Sequence, residues 1–92
     1  MSRDGETKGF GELLSFPSVF MFRIIAYNTD TVVKGCSDAL EKVFSSIEAV
    51  EVLPSESQRF LRIHIAVMAI EADQIYQGYD ALKDVEGVRM VF

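Results

Sequence analysis

The 92-residue chain is short of the groups from which most active sites are built, with one cysteine, Cys36, and one histidine, His64. A single thiol excludes an internal disulfide and any all-cysteine metal cluster within the chain. A single histidine leaves no ligand pair of the kind zinc sites use. Basic residues are in the minority, 9 against 14 acidic ones, for a net charge of −5 and a pI near 4.7. That balance works against nonspecific attraction to nucleic acid or anionic membrane. No apolar run approaches the ~20 residues that a membrane-spanning helix needs. The first residues carry Asp4 and Glu6 and lack the pattern of a secretory signal. A lone thiol and no signal together predict a cytoplasmic location. No serine or cysteine stands with a histidine and an acid in a nucleophile signature, and the glycines form no phosphate cradle. Neither an enzyme nor a bound cofactor is therefore expected.

The residues that are present suit a folded domain. Apolar residues make up 49% of the chain and charged residues 25%, which argues against disorder and, at this length, for one small core. Residues 1–9, MSRDGETKG, read as a flexible tail, and residues 10–92 as the single domain. Phe10, Leu13, Leu14 and Phe16 are too apolar for a free end, so the segment before Pro17 is expected to lie along the body of the domain.

Residues 19–27, VFMFRIIAY, are apolar at nearly every position whichever parity is taken. A strand with one wet face alternates, whereas a strand covered on both faces reads continuously apolar. This strand is therefore predicted to be central. Asn28-Thr29-Asp30-Thr31 supplies capping residues for a helix over about Asp30 to Ser46, with Val33, Cys36, Leu40, Val43, Phe44 and Ile47 at helical spacing. Gly35 within it points to a close contact with the sheet. Residues 47–53 carry interspersed charges and end at Pro54, as an edge strand should.

Residues 58–69 form the second strongly apolar strand. A second helix follows from about Glu71 to Asp84, with a stripe of Ala72, Ile75, Tyr76, Tyr79 and Leu82, and residues 88–92 end the chain as a strand. The order β-α-β-β-α-β with right-handed crossovers predicts a ferredoxin-like α+β sandwich. Strands one and three lie at the centre of a four-stranded antiparallel sheet, with both helices on one face. The absence of CxxC excludes the metal-carrying version of that fold.

Turning the arginines away from the helices assigns the two faces. Phe20, Phe22, Ile24, Leu61, Ile63, Ile65, Val88, Met90 and Phe92 are expected beneath the helices. Met21, Arg23, Ile25, Tyr27, Phe60, Arg62, His64, Arg89 and Val91 fall on the open face. Such a face is too apolar to leave wet, and it marks an interface. Its expected cover is the Phe10–Phe16 segment, a second subunit, or both, with Glu12, the tail acids or a second copy's acids pairing the arginines, and the expected partner is a second copy in a homodimer or another protein. Arg23, Phe60, Arg62, His64 and Arg89 are the candidate interface or anion-binding residues. The alternative is a platform for single-stranded RNA or a small anion. It lacks the aromatic pair such sheets use: residues 59–64 read RFLRIH, without a glycine–aromatic–aromatic pattern.

The runs ELLSFPSVF (12–20) and VRMVF (88–92) resemble the YbeD-like family of small bacterial proteins, whose activity is unassigned. The resemblance implies a ferredoxin-like domain similar to ACT regulatory domains and a bacterial, cytoplasmic origin. ACT domains bind effectors with a glycine-containing loop after the first strand, often Asp-x-Pro-Gly. This chain has Asn28-Thr29-Asp30-Thr31 there, so Asn28, Thr29 and Asp30 mark the loop where a small-molecule effector would be sought. The function expected is a non-enzymatic regulatory or protein-interaction module that self-associates through its open sheet face.

Overall fold

The computed structural model describes residues 15–54 and 56–92. The expected tail over 1–9 and the apolar positions Phe10, Leu13 and Leu14 lie outside them. The element order is β1 (Ser18–Tyr27), α1 (Val32–Glu41), β2 (Ile47–Pro54), β3 (Phe60–Ala69), α2 (Ala72–Lys83) and β4 (Val88–Val91). The four strands form one antiparallel sheet in the order β2-β3-β1-β4. The two longest apolar runs thus occupy the centre, in the ferredoxin-like arrangement that the residue pattern predicts.

β1 and β3 pair over ten residues in unbroken register, from Ser18 opposite Ala69 to Tyr27 opposite Phe60. On one face this register stacks Phe22, Ile24 and Ala26 beside Leu61, Ile63, Ile65 and Val67, all buried. Val32, Cys36, Leu40, Ile75 and Leu82 close the core from the helices. Burying side chains of this size contributes ~1.5–3 kcal/mol each, which makes this face the main source of stability. Four rings meet edge to face within it: Phe22 lies 5.0 Å from Phe20, 5.0 Å from Tyr79 and 5.8 Å from Phe44. Phe16 packs against the same core and so lies with the helix-side residues.

α1 is shorter than its apolar spacing predicts. It ends at Glu41: the Val43 and Phe44 N–H groups both donate to the Leu40 carbonyl, at 3.0 and 2.9 Å, in a closing turn, and by Ser46, whose carbonyl accepts the Met68 N–H at 3.1 Å, the chain has joined the sheet. Val43, Phe44 and Ile47 still pack on the core, but from a turn and a strand start rather than from helix. Gly35 does not touch the sheet. A methyl there would stand 3.0 Å from Val85 Cγ1, beyond the end of α2. The glycine that closes the helix–sheet distance is Gly78 of α2, where a methyl would stand 2.5 Å from Phe22 Cζ. Tyr76, expected in the stripe of α2, is half exposed instead, while Ile75, Gly78 and Leu82 are the buried positions.

Gln74 ties the layers together. Its side-chain oxygen accepts from the Ile70 N–H at 2.7 Å, and its amide donates to the Val43 carbonyl at 3.0 Å. One side chain thereby satisfies a backbone donor at the start of α2 and an acceptor in the turn after α1.

β4 departs from strict alternation. Ile25 pairs with Met90, but Ala26 pairs with Val88, so Arg89 is an extra residue in a bulge. The bulge reverses the parity expected for the end of the chain. Val91 turns to the core together with Val88, while Met90 and Phe92 turn to the open face and are 51% and 53% exposed.

Candidate functional site

The open face is built by the odd-numbered residues of β1 and the even-numbered residues of β3, fixed there by the β1–β3 register. Across the sheet from β2 to β4, one row reads Glu51, His64, Arg23 and Phe92. The next reads Leu53, Arg62, Ile25 and Met90. Tyr27 and Phe60 form the row beyond, and Met21 stands with Ala66 and Ala49 on the other side of the arginine row. The predicted residues Arg23, Arg62 and His64 are therefore neighbours in space, as the strand pattern requires. Arg23 and Arg62 sit on diagonal positions of adjacent strands, ~7–8 Å apart at their backbones. They border one hollow of about 340 Å³ together with Ile25, His64 and Phe92. A second hollow of about 510 Å³ shares Ile25 and Arg62 and reaches Phe60, Glu56 and Ser57.

Phe60 and Arg89 join the face at its far end. The Tyr27 and Phe60 rings stack on each other with centroids 5.3 Å apart and planes 27° apart. The Arg89 guanidinium lies 5.4 Å from the Tyr27 ring centroid, and its Nη1 donates to the Tyr27 hydroxyl at 2.6 Å. This arrangement follows from the bulge, which puts Arg89 beside Tyr27. Each ring thus has one side against a neighbour, and the Arg89 side chain holds the Tyr27 hydroxyl.

The charges on this face are unevenly partnered. His64 Nδ1 lies 3.6 Å from Glu51 Oε1, an ion pair whenever the imidazole is protonated. Among the described residues no carboxylate lies within ion-pair distance of Arg23 or Arg62. Glu12 and the tail acids, expected as their partners, lie outside the described residues. Around the arginines Val19, Met21, Tyr27, Met90 and Phe92 are 41–56% exposed, so the cationic centre has an apolar frame.

The loop of Asn28, Thr29 and Asp30 is exposed, but the Asn28 side chain and the Asn28 and Thr29 N–H groups are bonded within the protein. The Asn28 N–H donates to the Arg59 carbonyl at 2.9 Å, and its side-chain amide donates to the Gln58 carbonyl at 3.0 Å. The Thr29 N–H donates to the Tyr27 carbonyl at 2.9 Å. α1 starts two residues beyond Asp30, and its cap Thr31 makes no side-chain bond to the helix. Asn28 thus fastens this loop to the β2–β3 turn, where Gln58 holds a positive φ of 59°.

Cys36 is sealed in the core at the α1–sheet contact, and burial pushes its thiol up from 9.0 to about 11. Such a thiol is protonated and inert at neutral pH. Burial also raises the Tyr79 hydroxyl above its usual range, on the helix side of the sheet. Among the described residues no three of His, Cys, Asp and Glu converge as metal ligands would, and no helix is long and apolar enough to cross a membrane.

Two open-face residues escape a reading of the residue pattern: Met90 and Phe92, which alternation places under the helices. The run Val88-Arg89-Met90-Val91-Phe92 carries no signal for an inserted residue, since each of its apolar side chains suits either face.

Comparison with known proteins places the fold. The ACT domain from GTP pyrophosphokinase of Chlorobium tepidum superposes with a TM-score of 0.66 at 16% identity, over 80% of this chain and 94% of that one. A protein from H. pylori superposes with a TM-score of 0.66 at 10% identity, over 100% and 97%. An uncharacterized protein from Thermotoga maritima does so with a TM-score of 0.59 at 15% identity, over 80% and 92%. At these identities the likeness is one of fold alone. No curated protein matches the chain in sequence. The family model for a protein of unknown function, DUF493, matches residues 11–92. The chain is therefore an ACT-like member of DUF493, the YbeD-like family.

Proposed function

We infer that this chain is a non-enzymatic interaction module that works by burying its open sheet face against another protein, and that its role is regulatory. The observation that carries this reading is the apolar frame of the face. Five large apolar side chains are about half exposed on one side of a single sheet. Covering the remainder of all five is worth on the order of 5 kcal/mol before the entropic cost of association is subtracted. Contiguous apolar surface of this kind on a small domain is characteristic of an interaction site. The small-effector reading receives less support, because the Asn28 and Thr29 amides already have backbone acceptors. Nucleic-acid binding receives less as well, because the two rings that the central strands do place on this face, Tyr27 and Phe60, are stacked on each other.

Site-specific photocrosslinking in cells tests the reading. Benzoylphenylalanine in place of Met90, on the open face, is expected to give a discrete protein adduct. The same group in place of Tyr76, which is equally exposed on the helix side, is expected to give none. Equal labelling from both positions, or none from position 90, would refute an interface on the open face.

A further inference from the structure

The chemistry of the partner is written in the charges of the open face. Arg23, Arg62 and Arg89 stand on it, against the carboxylates Glu51 and Glu56 at its β2 side and at the turn after β2. The whole chain has a net charge of −5, so the face is a basic island on an acidic protein. A second copy docked with its twofold axis through the Arg23–Arg62 cluster would set like charges against each other, which disfavours that pairing. Nucleic acid would meet rings already stacked and a net negative protein. For a partner outside the chain, the face offers a surface that takes carboxylates at its centre and apolar side chains around them.

We propose that the open face docks an acidic, apolar polypeptide segment, with a carboxylate held between Arg23 and Arg62 in the 340 Å³ hollow and apolar side chains on Met21, Met90 and Phe92. This rests on the interaction-module reading and adds the partner's chemistry to it. The two guanidinium groups border the same hollow, so one carboxylate can accept from both, and guanidinium–carboxylate hydrogen bonds are among the strongest in proteins. Ile25, opposite Arg62 and two residues from Arg23, and Phe92 line the same hollow and give the pair an apolar border. The hollow continues past Arg62 to Phe60, which gives an extended segment a second contact along the face.

Panning a library of random 12-residue peptides on the full chain tests the proposal. Enriched sequences are expected to combine aspartate or glutamate with leucine, isoleucine or phenylalanine. A synthetic peptide of the enriched sequence is expected to bind tenfold or more weakly to Arg23→Met and to Arg62→Met, and to lose binding when its acids are amidated to glutamine or asparagine. Both variants keep an apolar stem at an exposed position, and dispersed amide NMR spectra will verify that they fold. A Lys34→Met variant on α1 is expected to bind as the parent does. Enrichment of uncharged or basic sequences, no enrichment at all, or affinity indifferent to both arginines would overturn the proposal. So would tighter binding of a mixed-sequence 12-nucleotide RNA, or a dimer in sedimentation equilibrium that Met90→Gln dissociates. A discrete adduct from position 90 alongside uncharged panning sequences would leave the interaction module standing and remove only the acidic partner.

Discussion

Replacing Gly78 with alanine separates two opposing effects of known size. At an ordinary helix position the change is stabilising by about 1 kcal/mol, because alanine has the highest helix propensity and glycine one of the lowest. At position 78 the new methyl would stand 2.5 Å from Phe22 Cζ and 3.1 Å from both Phe22 Cε2 and Phe44 Cε2. Carbon atoms in good contact sit about 3.5–4.0 Å apart, so ring or helix must retreat by about 1 Å. The Phe22 ring has nowhere to go: it is fully buried and caged by Phe20, Phe44 and Tyr79. Overpacking costs ~1–3 kcal/mol, and a clash with a caged ring belongs at the upper end. Setting about 3 kcal/mol against the gain of 1 leaves a net loss of ~2 kcal/mol, a fall in Tm of about 10 °C for a domain of this size. Urea and thermal unfolding followed by far-UV circular dichroism measure both quantities. Phe22→Leu removes the ring atoms that are struck, so Gly78→Ala should cost much less in that background, and the double-mutant cycle should show strong coupling. A rise in Tm for Gly78→Ala alone, or the same loss in both backgrounds, would refute the account of how α2 sits on the sheet.

Three further outcomes follow from the backbone and the core. Gln58→Gly should raise stability by up to about 1 kcal/mol, since φ of 59° strains any residue with a Cβ; a loss in urea melts would contradict this. Gln74→Ala should cost ~1–3 kcal/mol, because it removes partners from the Ile70 N–H and the Val43 carbonyl, and chemical denaturation will show it. Cys36, held up to about 11 by burial, should react with iodoacetamide at pH 8 only as fast as the domain opens. Its raised value also favours the folded state below pH 9, and that contribution falls away between pH 9.0 and about 11; a thiol that labels at the rate of a free peptide would disprove its burial.

The open face was partly legible in the residue pattern. Arg23, Arg62 and His64 interrupt otherwise apolar parities of β1 and β3, and an arginine among large apolar groups can only face away from a closed core. The parity of β1 and β3 follows from that one constraint. The same logic fails for β4, where Met90, Val91 and Phe92 are interchangeable by hydropathy and the Arg89 bulge leaves no trace in composition. The end of α1 is hidden from the residue pattern for a related reason. Val43, Phe44 and Ile47 keep helical spacing because they pack on the core, and the core accepts them equally from a turn and a strand.

By itself the amino-acid sequence determined the order of elements, the central place of the two long strands and the direction in which the arginines point. Those properties depend on local periodicity and on the prohibitive cost of burying an unpaired charge. That Gly78 rather than Gly35 meets the sheet, that Asn28 is tied to the neighbouring turn, and that Met90 and Phe92 complete the apolar frame of the open face emerges with the assembled fold. Each is a consequence of register and close approach between segments far apart in the chain, which no pattern within one segment encodes.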